Sequence, residues 1–334
     1  MKFLKVITAS PGLSGAGLIF DYLLNRSDFI SPFKKYPDQD QQSEFRFAID
    51  PGGLNSLYFG FYNNFSNNNC AYVFDEFNKY LKKISQLTIV ENGKKKKLYS
   101  NYFFNEVEKF KKKIVKLSYY GLPQFYRLGL GIKDRLAWKL ISQFQNAQKS
   151  KFLRMVVPVD EKIFVKEAIK LIDKVLYLST KNKKKHIVID QGANFWRPEL
   201  STKFYSNKKI ILITRDPRSI FASMKSRGSL SYPGHDVNTF IDWYKSIMSQ
   251  VRFHKNSKNI LLIKYEKFII NHDNESKKLL KFLKIQKCVN KKNIYIDESK
   301  KNIYKANKIL SNLEKKIIVT KLKKYLQWPK KKYI

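Results

Sequence analysis

Residues 211–223 read ILITRDPRSIFAS. Four apolar or β-branched residues run straight into Arg215-Asp216-Pro217-Arg218, and a helical stretch carrying Ser223 follows. A buried strand seldom ends on two arginines. This chain also uses arginine sparingly, its 66 basic residues dividing into 56 lysines and ten arginines. FLKVITA at 3–9, HIVID at 186–190, KIILIT at 209–214 and NILLIKY at 259–265 are all apolar along most of their length. Strands of that kind alternating with helices predict a parallel sheet covered on both faces. Arg215 then falls at the carboxyl end of a strand, where open α/β sheets bind ligands. Asp216-Pro217 makes the turn, Pro217 begins the helix, and Ser223 lies eight residues after Arg215. A guanidinium and a hydroxyl converging on one phosphate give charge-assisted, fork-shaped recognition. Arg218 can instead pair with Asp216 or a helix neighbour.

The first strand leads into SPGLSGAGLIFDYLL at 10–24, a small-residue turn before an amphipathic helix. Gly12, Leu13, Ser14, Gly15, Ala16 and Gly17 occupy the turn, and backbone N–H groups at a helix N-terminus favour an anion. The nucleotide-hydrolase version of such a loop needs Gly-Lys-Ser/Thr, so that lysine meets the β- and γ-phosphates and the hydroxyl holds magnesium. Here Gly15-Ala16-Gly17 carries no lysine, which argues against an ATPase. The glycines also suit a plain tight turn.

The 334 residues carry a formal net charge of +39 and are 43% hydrophobic, enough for a substantial core. Lys, Asn, Ile, Phe and Tyr are abundant together, the set that AT-rich codons favour, so most lysines are read as solvated surface. What remains is a field that attracts anionic ligands. Cys70 and Cys288, the two cysteines, make neither a disulfide framework nor a zinc site. No run of eighteen apolar residues predicts a membrane span, the N-terminal stretch reads as a strand rather than a signal peptide, and a cytoplasmic setting is the default. Four histidines without paired spacing predict no metal site.

The expected organisation is one domain over 1–334. Residues 31–69 are turn-rich, and 70–150 read as a helical, aromatic and lysine-rich insertion, the natural acceptor-side cap. A strand at 152–159, a helix at 161–178, a helical tail from 275 and a loop near 287–304 complete the chain. GKKKKL at 93–98 reads as an exposed loop.

KKIILITRDPRSIFASM resembles the 3′-phosphate-binding segment of the sulfotransferases that use 3′-phosphoadenosine-5′-phosphosulfate (PAPS): Arg-Asp-Pro-Arg at a strand end, with a serine eight positions after the first arginine. SPGLSGAGLIFDYLL is similar to their 5′-phosphosulfate loop, and VIDQGANFWRPEL to the strand end that precedes the arginine segment. NILLIKYEKFIINHDNESKKLLKFLKI resembles their Tyr-Glu strand and its helix. SKKNIYKANKIL looks like the late loop that closes over the nucleotide. The resemblance covers 3–50 and 186–325. It implies a three-layer P-loop-type α/β fold, PAPS as donor with no metal, and binding of the donor by residues 12–17, Arg215, Ser223, Asn302 and Lys305. Two departures stand out. Leu13 occupies the place of the loop's basic residue, and Gln191 a place where lysine is common.

Sulfuryl transfer to a hydroxyl needs a base near the acceptor oxygen. In many glycan-directed members of the family a Glu shortly after the first loop and helix serves, and Glu44, between Ser43 and Phe45, has that place. His235 in YPGHDVNTF is the next candidate, and Asp50 a weaker one. His186, His254 and His272 sit beside lysines and read as solvated. A carbohydrate is the favoured acceptor, and no specific nucleic acid is expected as a partner. Two other classes stay open at this point: a P-loop kinase or other nucleotide phosphotransferase, and a non-enzymatic polyanion-binding protein.

Overall fold

Ile210, Ile211, Leu212 and Ile213 are each 0% exposed. Successive strand residues point to opposite faces, so both faces of this strand are covered. The computed structural model describes residues 3–32, 34–36, 39–42, 47–63, 67–91, 93–121, 132–142, 153–180, 185–228, 232–251, 257–286 and 294–327. Contacts divide the chain into two compact units, residues 1–31 with 182–334, and residues 32–181.

The first unit runs β1 (Lys5–Ala9), α1 (Ala16–Leu24) and β2 (Phe29–Ile30), then β3 (His186–Ile189), β4 (Lys208–Thr214), α2 (Pro217–Arg227), α3 (Val237–Gln250), β5 (Ile260–Lys264), α4 (Tyr265–Ile270), α5 (His272–Leu283), α6 (Ile294–Ile303), α7 (Lys305–Ile309) and α8 (Asn312–Lys321). Its sheet has the order β5-β4-β1-β3-β2, and every pairing is parallel. This is the sheet flanked by helices that the apolar strands predict. On one side Ala9, Ile210 and Leu212 pack with Phe195, and Ile247 and Met248 of α3 lie against them. The helices α2, α3 and α8 share a core of Ile220, Phe221, Phe240, Tyr244 and Ile318. The expected loop near 287–304 gives way to helix α6 over its second half; residues 287–293 lie outside the described ones.

The second unit has an aromatic core. Phe164, in the helix Glu161–Thr180, meets the rings of Phe61, Tyr62 and Phe110 at 5.5–6.0 Å. Residues 70–150 are less helical than expected. Helices Asn67–Ser85, Asn101–Ile114 and Ile132–Ser142 are present, but Thr88–Glu91 and Lys94–Lys97 form an antiparallel hairpin. Val115–Gly121 pairs antiparallel with Leu153–Pro158, the strand expected at 152–159. The lysines of 94–97 are exposed throughout, so this strand carries no apolar alternation by which to recognise it. Among the described residues no helix is long and apolar enough to cross a membrane.

Candidate functional site

The strand order places a switch point at the centre of the sheet. β1 leads through α1 toward the β3–β2 side, whereas β4 leads through α2 and α3 toward β5. The crevice lies at the carboxyl ends of β1 and β4, which are adjacent in register, Ala9 opposite Leu212. The glycine-containing turn and the Arg-Asp-Pro-Arg corner, 200 residues apart in sequence, emerge there together.

Arg215 joins the two. It is 4% exposed, and its Nη1 donates to the Leu13 carbonyl and to Ser223 Oγ, both at 3.2 Å. Nη2 donates to the Asn302 carbonyl at 2.6 Å, at the C-terminal end of α6, where the helix dipole favours a cation. The guanidinium lies 4.7 Å from the centre of the Tyr265 ring. Among the described residues its Nε has no hydrogen-bond partner, and Glu266 Oε1 is 4.0 Å away.

Arg218 takes the structural role. It is wholly buried and forked onto Asp216, Nε to Oδ1 and Nη2 to Oδ2, both at 2.8 Å. Asp216 also caps α2 by accepting from the Arg218 N–H, with Pro217 in the first turn as expected. The Asp216 N–H donates to Glu266 Oε1 at 3.0 Å. Burial raises the Glu266 carboxyl to about 7, the nearby Asp216 charge adds to the rise, and the bond from the Asp216 N–H and the Arg215 charge oppose it.

The first loop is tightly built. Leu13 and Gly15 have φ of 50° and 85°. Ser14 is fully buried, and its hydroxyl donates to the carbonyls of Pro11 and Gly12. A Cβ on Gly12 would lie 2.5 Å from the Tyr232 ring, and one on Gly15 2.4 Å from the Tyr265 ring. Both positions need glycine because aromatic rings close on them. Ala16 opens α1 and is buried; a Cβ on Gly17 would meet nothing within 4 Å. Leu13 packs partly buried against the core that α2 and α3 share, beside Tyr232. Gln191, with φ of 50°, donates from Nε2 to Ser10 Oγ at 3.0 Å at the rim of this loop. The preceding Asp190 accepts from Thr8 Oγ1 at 2.8 Å, and burial raises its carboxyl.

The Lys305 amine, at the start of α7, is lowered first by burial and then by the charges of Arg215 and Arg227. Three cations therefore crowd one place. His235 is exposed in the turn before α3, next to Asp236, which caps that helix through Thr239. Glu44 and Phe45 lie outside the described residues, as does His254. In the second unit, Asp50 accepts from Tyr80 at 3.0 Å. His186 and His272, expected to be solvated, are half-buried instead. His186 Nδ1 accepts from the Leu4 N–H, and His272 packs edge-on against Tyr22 and Phe268. Burial lowers both imidazoles. Among the described residues no group of three His, Cys, Asp or Glu is placed to hold a metal ion.

Tyr232 carries no local signal and matters for the ring it lays on Gly12, whereas Tyr265, which lays its ring on Gly15, belongs to the Tyr-Glu strand singled out in the sequence. Gln327, also without a local signal, donates its N–H to Asp216, 111 residues earlier.

Residues 137–288, a little under half of the chain, match the model of the sulfotransferase family. The match bears out the resemblance carried by the arginine segment and the Tyr-Glu strand, both of which it includes. No curated protein sequence matches the chain. Among solved structures, mouse sulfotransferase SULT7A1 complexed with PAP is 22% identical over 40% of this chain, with a TM-score of 0.26; the alignment spans half of that chain. The sulfotransferase domain from the curacin biosynthetic pathway is 13% identical, covering 98% of this chain and 99% of its own, with a TM-score of 0.40. The sulfotransferase domain of the Synechococcus PCC 7002 olefin synthase is 10% identical, covering 98% and 95%, with a TM-score of 0.41.

Proposed function

We propose, from the match of residues 137–288 to the sulfotransferase family, that the protein moves a sulfuryl group from PAPS to an acceptor hydroxyl, of a carbohydrate by preference. The observation that carries the reading is Arg215, an almost fully buried guanidinium at the switch point, 3.2 Å from the Ser223 hydroxyl. Its Nη groups donate only to neutral acceptors, the Leu13 and Asn302 carbonyls and the Ser223 hydroxyl, among the described residues. A phosphate dianion is a stronger acceptor than any of these. Burial lowers the Lys305 amine and the charges of Arg215 and Arg227 lower it further; an anion at the same place relieves that repulsion. Arg215, Ser223 and Lys305 therefore hold the 3′-phosphate, with Asn302 beside them through its carbonyl on Arg215.

The 5′-phosphosulfate lies, in this reading, on the backbone of residues 12–17 and the N-terminus of α1, where the dipole stabilises the charge that grows on the bridging oxygen. The acceptor oxygen forms a bond to sulfur as the bond from sulfur to the 5′-phosphate oxygen breaks. The acceptor proton passes to a base, and 3′-phosphoadenosine-5′-phosphate leaves. Glu44 is the proposed base from its place after the first loop and helix, and His235 is its competitor; comparing the turnover of Glu44→Gln and His235→Ala assigns the role. The support for a carbohydrate acceptor is the placement of Glu44 and the aromatic, lysine-rich segment 70–150.

The bisphosphate product should raise the melting temperature of the protein in proportion to the logarithm of its concentration. Arg215→Ala should weaken its binding by about 2–4 kcal/mol in calorimetry, the scale for removing one partner of a desolvated charge pair. Stabilisation by ATP with magnesium alone makes the protein a phosphotransferase. Stabilisation by polyanions alone, steeply salt-dependent, makes it a polyanion binder.

A further inference from the structure

Gln327 follows α8 and the short turn Lys323–Tyr325, which is anchored by Tyr325 edge-on against Tyr244 at 5.3 Å. Its backbone N–H donates to Asp216 Oδ2 at 3.0 Å. Its carboxamide faces a carboxylate on one side and two donors on the other, which fixes its orientation. The nitrogen donates to Glu266 Oε2 at 3.0 Å, and the oxygen accepts from the Arg215 N–H at 3.2 Å and from Thr214 Oγ1 at 3.0 Å. One residue thus satisfies the backbone of Arg215, the hydroxyl before it and both buried carboxylates beside it. Among side chains of that size, only the carboxamide offers a donor and an acceptor in this arrangement at every pH.

We infer that Gln327 is a positioning residue for the 3′-phosphate grip, holding the end of β4 so that the Arg215 guanidinium points at the anion. The inference rests on the reading of Arg215 proposed above. The backbone it tethers lies past the last strand pairing: Arg215 leaves β4 after Thr214, which pairs with Lys264, and Glu266 accepts from the Asp216 N–H through its other oxygen. Without the carboxamide, the Arg215 N–H and the Glu266 oxygen are left buried and unmet. The corner then relaxes toward water or toward a direct contact between Arg215 and Glu266, which turns the guanidinium from the phosphate to the carboxylate.

The test compares two ligands on the full chain by calorimetry: adenosine 3′,5′-bisphosphate and adenosine 5′-monophosphate. The ratio of their affinities reports the 3′-phosphate alone. Gln327→Leu should lower that ratio about ten-fold, the loss of one hydrogen bond to a charged group, with monophosphate affinity nearly unchanged. Gln327→Glu keeps the size and serves if the leucine variant fails to fold. Its carboxylate opposes Glu266, so the ratio relative to wild type should be low at pH 8 and recover toward pH 6, where the two share a proton. The other charged or titratable groups facing Glu266 are Arg215, Asp216 with its Arg218, Tyr244 and Tyr265, and burial raises both tyrosines away from that range. Equal losses for both ligands, or an unchanged ratio, overturn the inference while the donor reading stands. A wild type that does not prefer the bisphosphate overturns the donor reading and this inference with it.

Discussion

The two loops at the switch point are built in opposite ways. The arginine corner is dense with charge: Arg215, Asp216, Arg218 and Glu266 are all under 5% exposed and joined to one another, to α6 and to Gln327. The first loop carries no charged side chain from Ser10 to Gly17, and it is shaped by Tyr232 and Tyr265 closing on Gly12 and Gly15. In the proposed function, one side of the nucleotide would meet preset side-chain charge and the other backbone dipoles. That difference would separate affinity from turnover, the corner gripping a phosphate that does not react and the loop facing the bond that breaks, where charge develops.

The largest effect expected of this contrast is at Arg218. Asp216 and Arg218 are both 0% exposed and paired in a fork, so Arg218→Met leaves the Asp216 carboxylate buried without the cation paired to it. Breaking a buried pair by removing one partner costs about 3–5 kcal/mol. Urea unfolding of the variant should show a midpoint shift of that size with an unchanged slope. A shift below 1 kcal/mol would mean that the corner is held by the sheet alone, and the contrast with the first loop would disappear.

The second effect is a pH dependence that the first loop has no means to produce. The Glu266 carboxyl, raised to about 7 mainly by burial, holds its proton in the native state where the unfolded chain has released it. Between the unfolded value near 4.5 and the folded value near 7, the native state binds more protons, so stability falls as pH rises. The shift corresponds to at most about 3 kcal/mol across that window, and the bond from Gln327 to the charged form reduces it. Glu266→Gln should flatten this part of the profile. Carboxylates such as Glu106, lowered by its bonds to Lys109 and Lys174, lose their stabilising effect in a lower range and do not mask it. His186 and His272, lowered by burial, push stability the other way below their unfolded values, so the wild-type profile is read against the variant. A Glu266→Gln profile parallel to wild type from pH 5 to 7 would show that Glu266 is ionised throughout, held so by Arg215 and Gln327.

The same contrast explains what was legible in the sequence. The strands were legible because burial on both faces demands an unbroken apolar run, and Ile210–Ile213 is one. Arg215 was legible because charge directly after such a run is chemically anomalous. The hairpin at 88–97 was not, since lysines at every position of 94–97 erase the two-residue period. His272 was misjudged because a lysine-rich neighbourhood suggested water, whereas the fold lays its ring between Tyr22 and Phe268. Gln327 was invisible for a different reason. A lone glutamine near a lysine-rich end has no pattern, and its meaning comes from two carboxylates 61 and 111 residues earlier.

The smallest and sharpest test lies at Leu13. Its φ of 50° and its carbonyl bond to Arg215 fix the backbone independently of the side chain. Lysine and leucine bear that φ equally, neither being β-branched. The Leu13 side chain is partly buried against the core of α2 and α3, and a lysine stem covers similar surface while its ammonium reaches outward. Leu13→Lys should therefore cost less than about 1 kcal/mol of stability, since little apolar area changes hands. If turnover is limited by charge developing on the leaving oxygen, the new cation should raise the rate roughly ten-fold or more. Affinity for the bisphosphate product should change far less, because the corner that grips the 3′-phosphate is untouched. A rate increase without an affinity change sharpens the division between the two loops. A folded Leu13→Lys variant that turns over more slowly than wild type breaks it, since another cation then already occupies that place.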